Sequence, residues 1–473
     1  AQPQSSAQVR GATWKGGAVG GTFESEAAAT AAFKKSLPTA AELDGVLVQA
    51  VADAQVGSRE QHRRLLRILR KHARGGLWST REAKTGCIKG HTVSIKLKDG
   101  DPTSTPIFSK PYPHTPVQAN EILRQAEEAY REKLIKPTVS NSNYPVILVA
   151  KAPGAAPRVT YDLRQLNSRL LTEWWEVPNI RHLTAELGRD RVFSTADYSN
   201  GYGQVPLADD GSSDHIAFTS PRGDSKLSGK RFSHTRLVQG MKDALFRFQR
   251  IVHHILAEHM SPHGDVHQYV DDLICASGRD MQHLPAIVDR HISQLDAMFT
   301  TLQESGTKLS PHKLQLLRSE IETLGHTING EHGTITVSKE KTAAIRELRE
   351  PKTRKELEVA MGILGVARRF TPGYAALAEP LFQLLRKGWR EFKFEPEHQA
   401  AYEKLKERFT TTEALAAPDF AKPFEIHADA SGTATGSLLL QRDDAGMPRV
   451  IEYFSHQFSA TEQNYSASEQ EAL

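Results

Sequence analysis

The 473-residue sequence contains 39% hydrophobic and 25% charged residues, the composition of a globular protein with room for about three domains. It has no apolar run near the roughly 20 residues that a membrane span requires and no N-terminal secretory signal, so we expect an intracellular protein without a membrane partner. The formal net charge of +4 excludes a strongly basic or acidic protein, so partners must be inferred from local patterns.

The N-terminal part divides into two segments of different composition. Residues 1–55 begin with a stretch rich in Ala, Gly, Ser and Gln, which predicts a flexible leader. Residues 56–104 form a basic segment, in which twelve Lys or Arg between residues 59 and 98 stand against two Glu. Leu65 and Leu69 predict an amphipathic helix there. Such a segment fits either a phosphate backbone or an ordinary solvated face.

Two short strands around a Gly/Pro-rich turn are predicted between residues 145 and 161. Lys151 and Arg158 lie at the neck of this hairpin, where both can form charge-assisted hydrogen bonds to the oxygens of a triphosphate. Basic residues are also common on solvated hairpins, so the residues alone leave both interpretations open.

Three aspartates lie beside apolar strands further along the chain. Asp197 ends the run 192–197, and Asp271 and Asp272 lie in a Tyr-Val-Asp-Asp segment whose flanks predict strand, turn and strand. Adjacent carboxylates repel unless a cation lies between them, and hard divalent cations prefer oxygen ligands. This pattern predicts a two-metal site for phosphoryl transfer, with a solvated Asp-Asp turn and a strand-end acid as the alternatives.

Later segments offer contacts for a substrate. Gln239 and Gly240 form a turn before a buried helix, where a ligand can approach the backbone closely. Residues 324–326 predict a turn and the start of a strand. Thr353 and Glu356 predict a capping box at the start of a helix.

The order of these motifs resembles that of reverse transcriptases from Pol polyproteins of gypsy-type LTR retrotransposons and, less closely, of retroviruses. The resemblance runs from about residue 85 to the end of the sequence. It implies an α+β fold: a right-hand polymerase of fingers, palm and thumb, followed by a partial ribonuclease H-like α/β module. Fingers and palm would occupy 105–335, the thumb 336–390, and a linker with the truncated ribonuclease H-like domain 391–473.

The resemblance also implies roles for single residues. Asp197, Asp271 and Asp272 correspond to the catalytic carboxylates, which hold two Mg2+ ions, or Mn2+ in their place, with the backbone carbonyl of Tyr198. Lys313 corresponds to an acid that protonates the leaving pyrophosphate. The other implied positions are the dNTP contacts Lys151, Arg158, Gln239, Gly240 and Tyr202, the last as a steric gate against ribonucleotides, and the template-primer contacts Gly325, His326 and Gly362.

The last residues resemble the start of a ribonuclease H domain. Asp429 and Glu471 match two of its metal-binding acids. The later acids of that domain would lie beyond Leu473, so we do not expect ribonuclease H activity from this chain.

The resemblance implies an RNA-directed DNA polymerase that extends a DNA or RNA primer on an RNA or DNA template with dNTPs and holds an RNA-DNA hybrid. We expect it in the cytoplasm, in virus-like particles, where it can form a homo- or heterodimer of Pol products. Two alternatives stay open. One is a catalytically silent structural subunit of a reverse transcriptase dimer that binds template-primer, and the other is a DNA-templated or intron-type polymerase.

Overall fold

The computed structural model describes residues 37–98, 106–149, 157–260, 265–279, 281–386, 392–411, 414–459 and 461–471. The helices in these residues are α1 (Leu43–Ala52), α2 (Arg59–Arg74), α3 (Pro116–Arg131), α4 (Arg164–Arg169), α5 (Ile180–Leu187), α6 (Ala244–Leu256), α7 (Leu284–Glu304), α8 (Lys339–Arg346), α9 (Arg354–Leu364), α10 (Tyr374–Leu385), α11 (Pro396–Thr410) and α12 (Ala467–Glu471). None of these helices combines the length and the apolar character that crossing a membrane requires.

The strands in the same ranges are β1 (Ile135–Pro137), β2 (Val146–Val149), β3 (Arg158–Tyr161), β4 (Val192–Asp197), β5 (Ala217–Thr219), β6 (Arg231–His234), β7 (Val266–Tyr269), β8 (Asp272–Ser277), β9 (Gln315–Arg318), β10 (Glu320–Thr323), β11 (His326–Asn329), β12 (Thr334–Val337), β13 (Leu415–Ala416), β14 (Glu425–Ala430), β15 (Ala434–Arg442) and β16 (Pro448–Gln457). They form five sheets in which neighbouring strands are antiparallel. The architecture is α+β, as predicted.

The palm is a four-stranded sheet with the order β7-β8-β4-β9. Helices α6 and α7 pack against it because their apolar residues recur at helical spacing, among them Phe248 and Val252 in α6 and Ile292 and Leu295 in α7. The strands are largely buried, as the burial of Val192 and Phe193 in β4 shows. This packing fixes the sheet edge at which β4 ends and β8 begins.

The prediction of a flexible leader is wrong for residues 43–52, which form α1. Leu43, Leu47, Ala50 and Val51 recur at the spacing of one helical face and are buried in the palm core. This short apolar stripe indicates a helix, but the low-complexity composition of the preceding residues led to the prediction of a flexible leader. The rest of the predicted leader up to residue 36 lies outside the described residues.

The predicted basic helix is α2, and acids of neighbouring helices neutralise much of its charge. Arg70 donates to both carboxylate oxygens of Asp44 in α1, at 2.6 and 2.8 Å. Arg64 and Lys71 pair with acids of α7, at 3.3 Å to Asp289 and 2.5 Å to Asp296. These ion pairs favour a role in docking helices over a role in binding a phosphate backbone.

The fingers contain the β2-β3 hairpin, helix α3 and the sheet β1-β6-β5. Val149 at the end of β2 lies opposite Arg158 at the start of β3, so the predicted hairpin is present. Thr115 caps α3 by accepting a hydrogen bond from the backbone N–H of Gln118 at 3.3 Å. Lys151, predicted to bind a triphosphate, lies outside the described residues.

The thumb combines helices α9, α10 and α11 with the sheet β10-β11-β12-β13. The predicted capping box at its entrance is only half formed: Thr353 accepts from the backbone N–H of Glu356 at 3.2 Å, but the Glu356 carboxylate accepts from Lys352 N at 2.7 Å. Tyr402 of α11 and Leu415 of β13 belong to the same apolar core as α9 and α10. The predicted boundary at residue 391 therefore does not coincide with the edge of this core.

The C-terminal module is the three-stranded sheet β14-β15-β16 with α12. It packs against the thumb through β16, where Ser455 Oγ accepts a hydrogen bond from Ala375 N at 3.0 Å. Val450 and Tyr453 of β16 contact the thumb core. The thumb and the ribonuclease H-like sheet thus share a packed interface.

Candidate active site

The three predicted carboxylates meet at one edge of the palm sheet. Asp197 is the last residue of β4 and lies directly opposite Asp272, the first residue of β8. Asp271 and Val270 form the two-residue turn between β7 and β8. The sequence prediction of one acid at a strand end and two at a hairpin tip therefore matches the geometry.

The turn that carries Asp271 is strained. Val270 has a φ of 54°, a left-handed conformation that a β-branched residue rarely adopts. Two glutamine side chains hold it in place: the backbone N–H of Val270 donates to Gln249 of α6 at 2.8 Å, and Gln268 donates to the Val270 carbonyl at 3.2 Å. Helix α6 thus fixes the position of the acids.

The carboxylate of Asp271 has one oxygen without a hydrogen-bond partner in the part of the chain that the structure describes. Its Oδ1 atom is buried and has no hydrogen-bond partner among the described residues. Burial, followed by repulsion from Asp197 and Asp272, raises the pKa of Asp271 to about 6. Burial and then Asp197 also raise the pKa of Asp272. The site therefore concentrates negative charge that a cation would stabilise.

Gly201 and two tyrosines shape the space around Asp271. A Cβ atom at Gly201 would lie 2.9 Å from Asp271 Oδ1 and 3.0 Å from a ring carbon of Phe248, so a larger residue would displace the carboxylate. The rings of Tyr198 and Tyr202 both contact Phe248 edge to face, with centroids at 5.3 and 5.4 Å. Phe248 therefore supports both tyrosines beside the acids.

Lys313 reaches the carboxylates directly. Its Nζ donates to Asp197 Oδ2 at 2.8 Å, from a single-turn 3-10 helix at Pro311–Lys313. The Lys313 side chain stays 61% exposed, so its ammonium can contact a ligand. A cleft of about 420 Å³ joins Asp197, Asp272 and Lys313 to the turn at Gly325.

The donor set suits a hard divalent cation. In the described ranges no group of three or more His, Cys, Asp or Glu side chains is placed to hold a metal ion, and the Lys313 ammonium pairs with Asp197. Three carboxylates and the partnerless Oδ1 of Asp271 nevertheless fit Mg2+ or Mn2+, which prefer oxygen ligands. A cation at Asp197 would compete with Lys313.

Two of the predicted nucleotide contacts, Arg158 and Tyr202, lie close enough to Asp271 to interact with its charge. Arg158 is exposed at the start of β3, and its charge counteracts the rise in the pKa of Asp271 that burial and the neighbouring acids cause. Burial and, to a smaller extent, the charge of Asp271 raise the pKa of Tyr202 to about 12. The charge of Arg158 opposes this rise as well. Arg158 and Tyr202 therefore act on the same small region as Asp271.

The turn at Gln239 and Gly240 is exposed and is held by a residue that sequence reasoning did not single out. Gly240 has a φ of 103°, which favours glycine. Asn167 donates to the Gly240 carbonyl at 2.9 Å and accepts from Lys242 N at 2.8 Å. Its position in the run 162–167 after the hairpin was the available signal.

The predicted template-primer residues occupy different environments. Leu324 and Gly325 form the turn between β10 and β11, with φ values of 51° and 74°. His326 is only 5% exposed, its ring lies 5.8 Å from that of Phe370, and burial lowers its pKa to about 4. His326 thus supports the turn from inside. Gly362 lies on the exposed face of α9.

The predicted ribonuclease H-like acids do not form a described site. Asp429 is exposed on β14. Glu471 ends α12, and its side chain lies outside the described part of the chain. Asp429 and Glu471 therefore stay predictions.

A buried polar network behind the acids was not predicted. His291 of α7 is fully buried and bonds Ser194 of β4 at 2.8 Å and Ser277 of β8 at 2.9 Å. Ser277 donates to Asp265 at 3.2 Å, so it must accept from His291 Nδ1, which leaves Nε2 to accept from Ser194. Burial lowers the pKa of His291 to about 3. The neutral ring thus joins the two strands that carry the aspartates to α7.

We expect His291→Ala to lower the free energy of unfolding by about 3 kcal/mol, because it leaves a cavity and removes a partner from each of two buried hydroxyls. Urea unfolding followed by circular dichroism measures this. The exposed His283 at the start of α7 is the control, since His283→Ala should change the value by less than about 0.5 kcal/mol. Equal effects of the two substitutions would contradict the assigned network.

Comparison with known families gives independent information. The family described as "Reverse transcriptase (RNA-dependent DNA polymerase)" matches residues 150–328. The family described as "RNase H-like domain found in reverse transcriptase" matches residues 394–473.

Curated relatives are Pol polyproteins. The chain is 30% identical over 405 residues to the retrovirus-related Pol polyprotein from transposon opus of Drosophila melanogaster, covering 82% of this chain and 38% of that protein. It is 27% identical over 400 residues to that from transposon gypsy of the same organism, covering 81% and 36%. The Gag-Pol polyprotein of avian reticuloendotheliosis virus is 31% identical over 341 residues, covering 71% and 28%. The chain spans less than half the length of these relatives.

Solved structures show the same fold. A foamy viral protease-reverse transcriptase in complex with double-stranded DNA superposes with a TM-score of 0.76 at 24% identity, covering 90% of this chain and 70% of that one. The enzyme in complex with RNA/DNA hybrid gives a TM-score of 0.74 at 24% identity, covering 90% and 54%. Together with the two family matches, these structures confirm the predicted fold of a reverse transcriptase followed by a ribonuclease H-like module. Residues 150–328 thus belong to the reverse transcriptase family and residues 394–473 to the RNase H-like domains found in reverse transcriptases, in a chain that is similar to gypsy-type and other retrovirus-related Pol polyproteins.

Proposed function

We propose that this chain is an RNA-directed DNA polymerase that adds dNTPs to the end of a primer on an RNA or DNA template. The observation that carries the proposal is the meeting of Asp197, Asp271 and Asp272 at one sheet edge beside Lys313. The reverse transcriptase family match over residues 150–328 includes the three aspartates and Lys313.

The three aspartates would hold two Mg2+ ions, or Mn2+. When bound, such ions activate the primer hydroxyl and stabilise the leaving oxygen in phosphoryl transfer. Because the pKa of Asp271 is about 6, protons compete with a cation for this carboxylate more strongly as the pH falls below that value. Lys313, which lies beside Asp197, would donate a proton to the leaving pyrophosphate.

Arg158, Tyr202 and the Gln239-Gly240 turn would form the nucleotide site. The exposed Arg158 guanidinium can donate two hydrogen bonds to phosphate oxygens. Tyr202, supported by Phe248, presents a flat edge that would exclude a ribose 2′-hydroxyl by shape. The exposed backbone at Gly240 can approach the sugar closely.

Helix α9 would contact the template-primer. One stripe of its exposed face is apolar, with Val359 58% and Ile363 37% exposed, and Val366 just beyond it is 41% exposed; Lys355 and Glu358 are exposed beside it. A Cβ atom at Gly362 would meet nothing within 4 Å. A smooth apolar surface of this kind suits the shallow minor groove of a hybrid duplex. The foamy viral relatives in complex with double-stranded DNA and RNA/DNA hybrid support this partner.

The test is primer extension by the purified chain on an RNA template with a DNA primer and dNTPs in Mg2+. We expect extension that stops when EDTA removes the metal, and hybrid binding that weakens as salt rises. No extension, despite salt-sensitive binding of the hybrid, would contradict the proposal and would favour the structural subunit of a dimer.

A further inference from the structure

A second cleft, of about 620 Å³, lies between the ribonuclease H-like sheet, the thumb and the palm. Arg181 of α5 contributes from the palm, and Arg368 and Arg369 contribute from the 3-10 segment Gly365–Phe370 of the thumb. One face of the β14-β15-β16 sheet forms the opposite wall. The polymerase mechanism above uses none of these residues.

The arginine wall holds a buried cation with a free donor. Arg369 is 6% exposed, and within the described residues its Nε atom has no hydrogen-bond partner. Its guanidinium lies over the face of the Phe370 ring, 5.1 Å from the ring centroid, and the charge of Glu452 acts on it. Leaving such a donor unsatisfied is costly, so the geometry favours an acceptor that enters the cleft.

The remaining charges leave the cleft positive. Arg181 pairs with Glu452 at 3.2 Å, and the Arg368 guanidinium donates to the Ser455 carbonyl, a neutral acceptor. His456 lies beside Glu462 at 3.3 Å. Glu452 is the acid among the lining residues, against three arginines. An anionic group is therefore favoured over a neutral one.

The sheet wall carries apolar and aromatic side chains among polar ones. Ile426 is 72% exposed and Phe454 is 46% exposed. Ser437 lies opposite Ala428 on one side and Phe454 on the other, so their side chains share one face. Exposed aromatic rings beside arginines are the groups on which unpaired bases stack.

We propose that this cleft binds single-stranded nucleic acid, with a phosphate at Arg368 and Arg369 and an unstacked base against Phe454. A duplex keeps its bases stacked inside and cannot present a base to Phe454 while a phosphate reaches the buried Arg369. An acidic peptide would satisfy the arginines but not the aromatic wall. The inference rests on the proposed polymerase function, because it assigns a second contact for the same nucleic acid substrates.

The test measures fluorescence anisotropy of a labelled oligouridylate with the full chain, while saturating unlabelled hairpin template-primer occupies the polymerase groove. We expect Phe454→Ala and Arg368→Gln each to weaken binding about tenfold. The matched controls lie outside the cleft: Phe420, which is 61% exposed, and the exposed Arg408. Phe420→Ala and Arg408→Gln should leave binding unchanged.

The same preparations are checked for melting temperature and for primer extension. Oligouridylate binding that the hairpin abolishes, or that Phe454→Ala does not weaken, overturns the inference even if extension is normal. The inference is also overturned if an oligoglutamate displaces the labelled oligouridylate as effectively as unlabelled oligouridylate does. Loss of oligouridylate binding in both cleft variants, with binding kept in both controls, supports the proposed binding site. This result supports it even if primer extension fails, in which case only the polymerase proposal is contradicted.

Discussion

Asp271→Asn should lower the rate of primer extension at least about a thousandfold, because the substitution removes a charged ligand from a site that must hold two divalent cations. The partnerless Oδ1 of Asp271 makes this residue the most dependent on a cation among the three acids. Single-nucleotide incorporation under steady-state conditions measures the loss. Asp289→Asn, a change to an exposed acid of α7, should leave the rate unchanged.

The same variant should be more stable than the wild type at pH 8. The pKa of Asp271 rises from 3.8 to about 6 on folding, so the folded state binds this proton more tightly than the unfolded state does. The free energy of unfolding therefore falls as the pH rises between these two pKa values, and the lost stability is not regained at higher pH. Removing the charge should therefore raise the free energy of unfolding by about 1 kcal/mol. This value is smaller than the full pKa shift implies because the carboxyl is only partly buried.

Thermal melting with and without Mg2+ separates the loss of cation binding from the gain in stability that removing the charge brings. Mg2+ should raise the melting temperature of the wild type, since it binds the folded state, and should not raise that of Asp271→Asn. At pH 5, where the wild-type carboxyl is largely protonated, the stability difference between the two proteins should shrink. A variant that is less stable than the wild type at pH 8 would show that Asp271 is not a destabilising charge.

Tyr202→Ala should raise the use of ribonucleotides relative to deoxyribonucleotides about a hundredfold. The ring lies against Phe248 beside Asp271, and its removal opens the space that the 2′-hydroxyl of a ribose would occupy. The ratio of kcat/KM for dCTP and CTP in single-nucleotide extension measures the change.

Tyr202→Phe is the matched control because it keeps the ring and removes only the hydroxyl. It should preserve the discrimination against CTP within about twofold. If Tyr202→Phe accepts CTP as readily as Tyr202→Ala does, discrimination depends on a hydrogen bond from the hydroxyl, and the steric interpretation is wrong.

The strands and turns of the site could be predicted because each depends on local sequence. Asp197 ends an apolar strand, and Asp271 and Asp272 interrupt one, so period-two patterning and turn chemistry were sufficient. Their meeting at one sheet edge depends on the pairing of β4 with β8, which no local pattern specifies. The chemistry of a two-metal site suggested this meeting, and the family resemblance supported it.

Contacts between distant elements could not be predicted. The bond between Lys313 and Asp197 spans 116 positions, and that between His291 and Ser194 spans 97. The position of α1 was missed for another reason: a low-complexity stretch precedes a helix of only ten residues, and composition outweighed periodicity. The paired charges of α2 likewise depend on acids from α1 and α7, so a count of basic residues overstated its free charge.

Strand β13 has a consequence for how the chain can be divided. Leu415 and Ala416 pair with Ile335 and Thr334 and complete the sheet that contains the Leu324-Gly325 turn, although they follow the last thumb helix. A shortened chain that stopped after α11 would expose β12 as an open edge, which invites association with other copies. The natural place to cut the protein thus lies after residue 416, inside the segment that sequence matching assigns to the second domain.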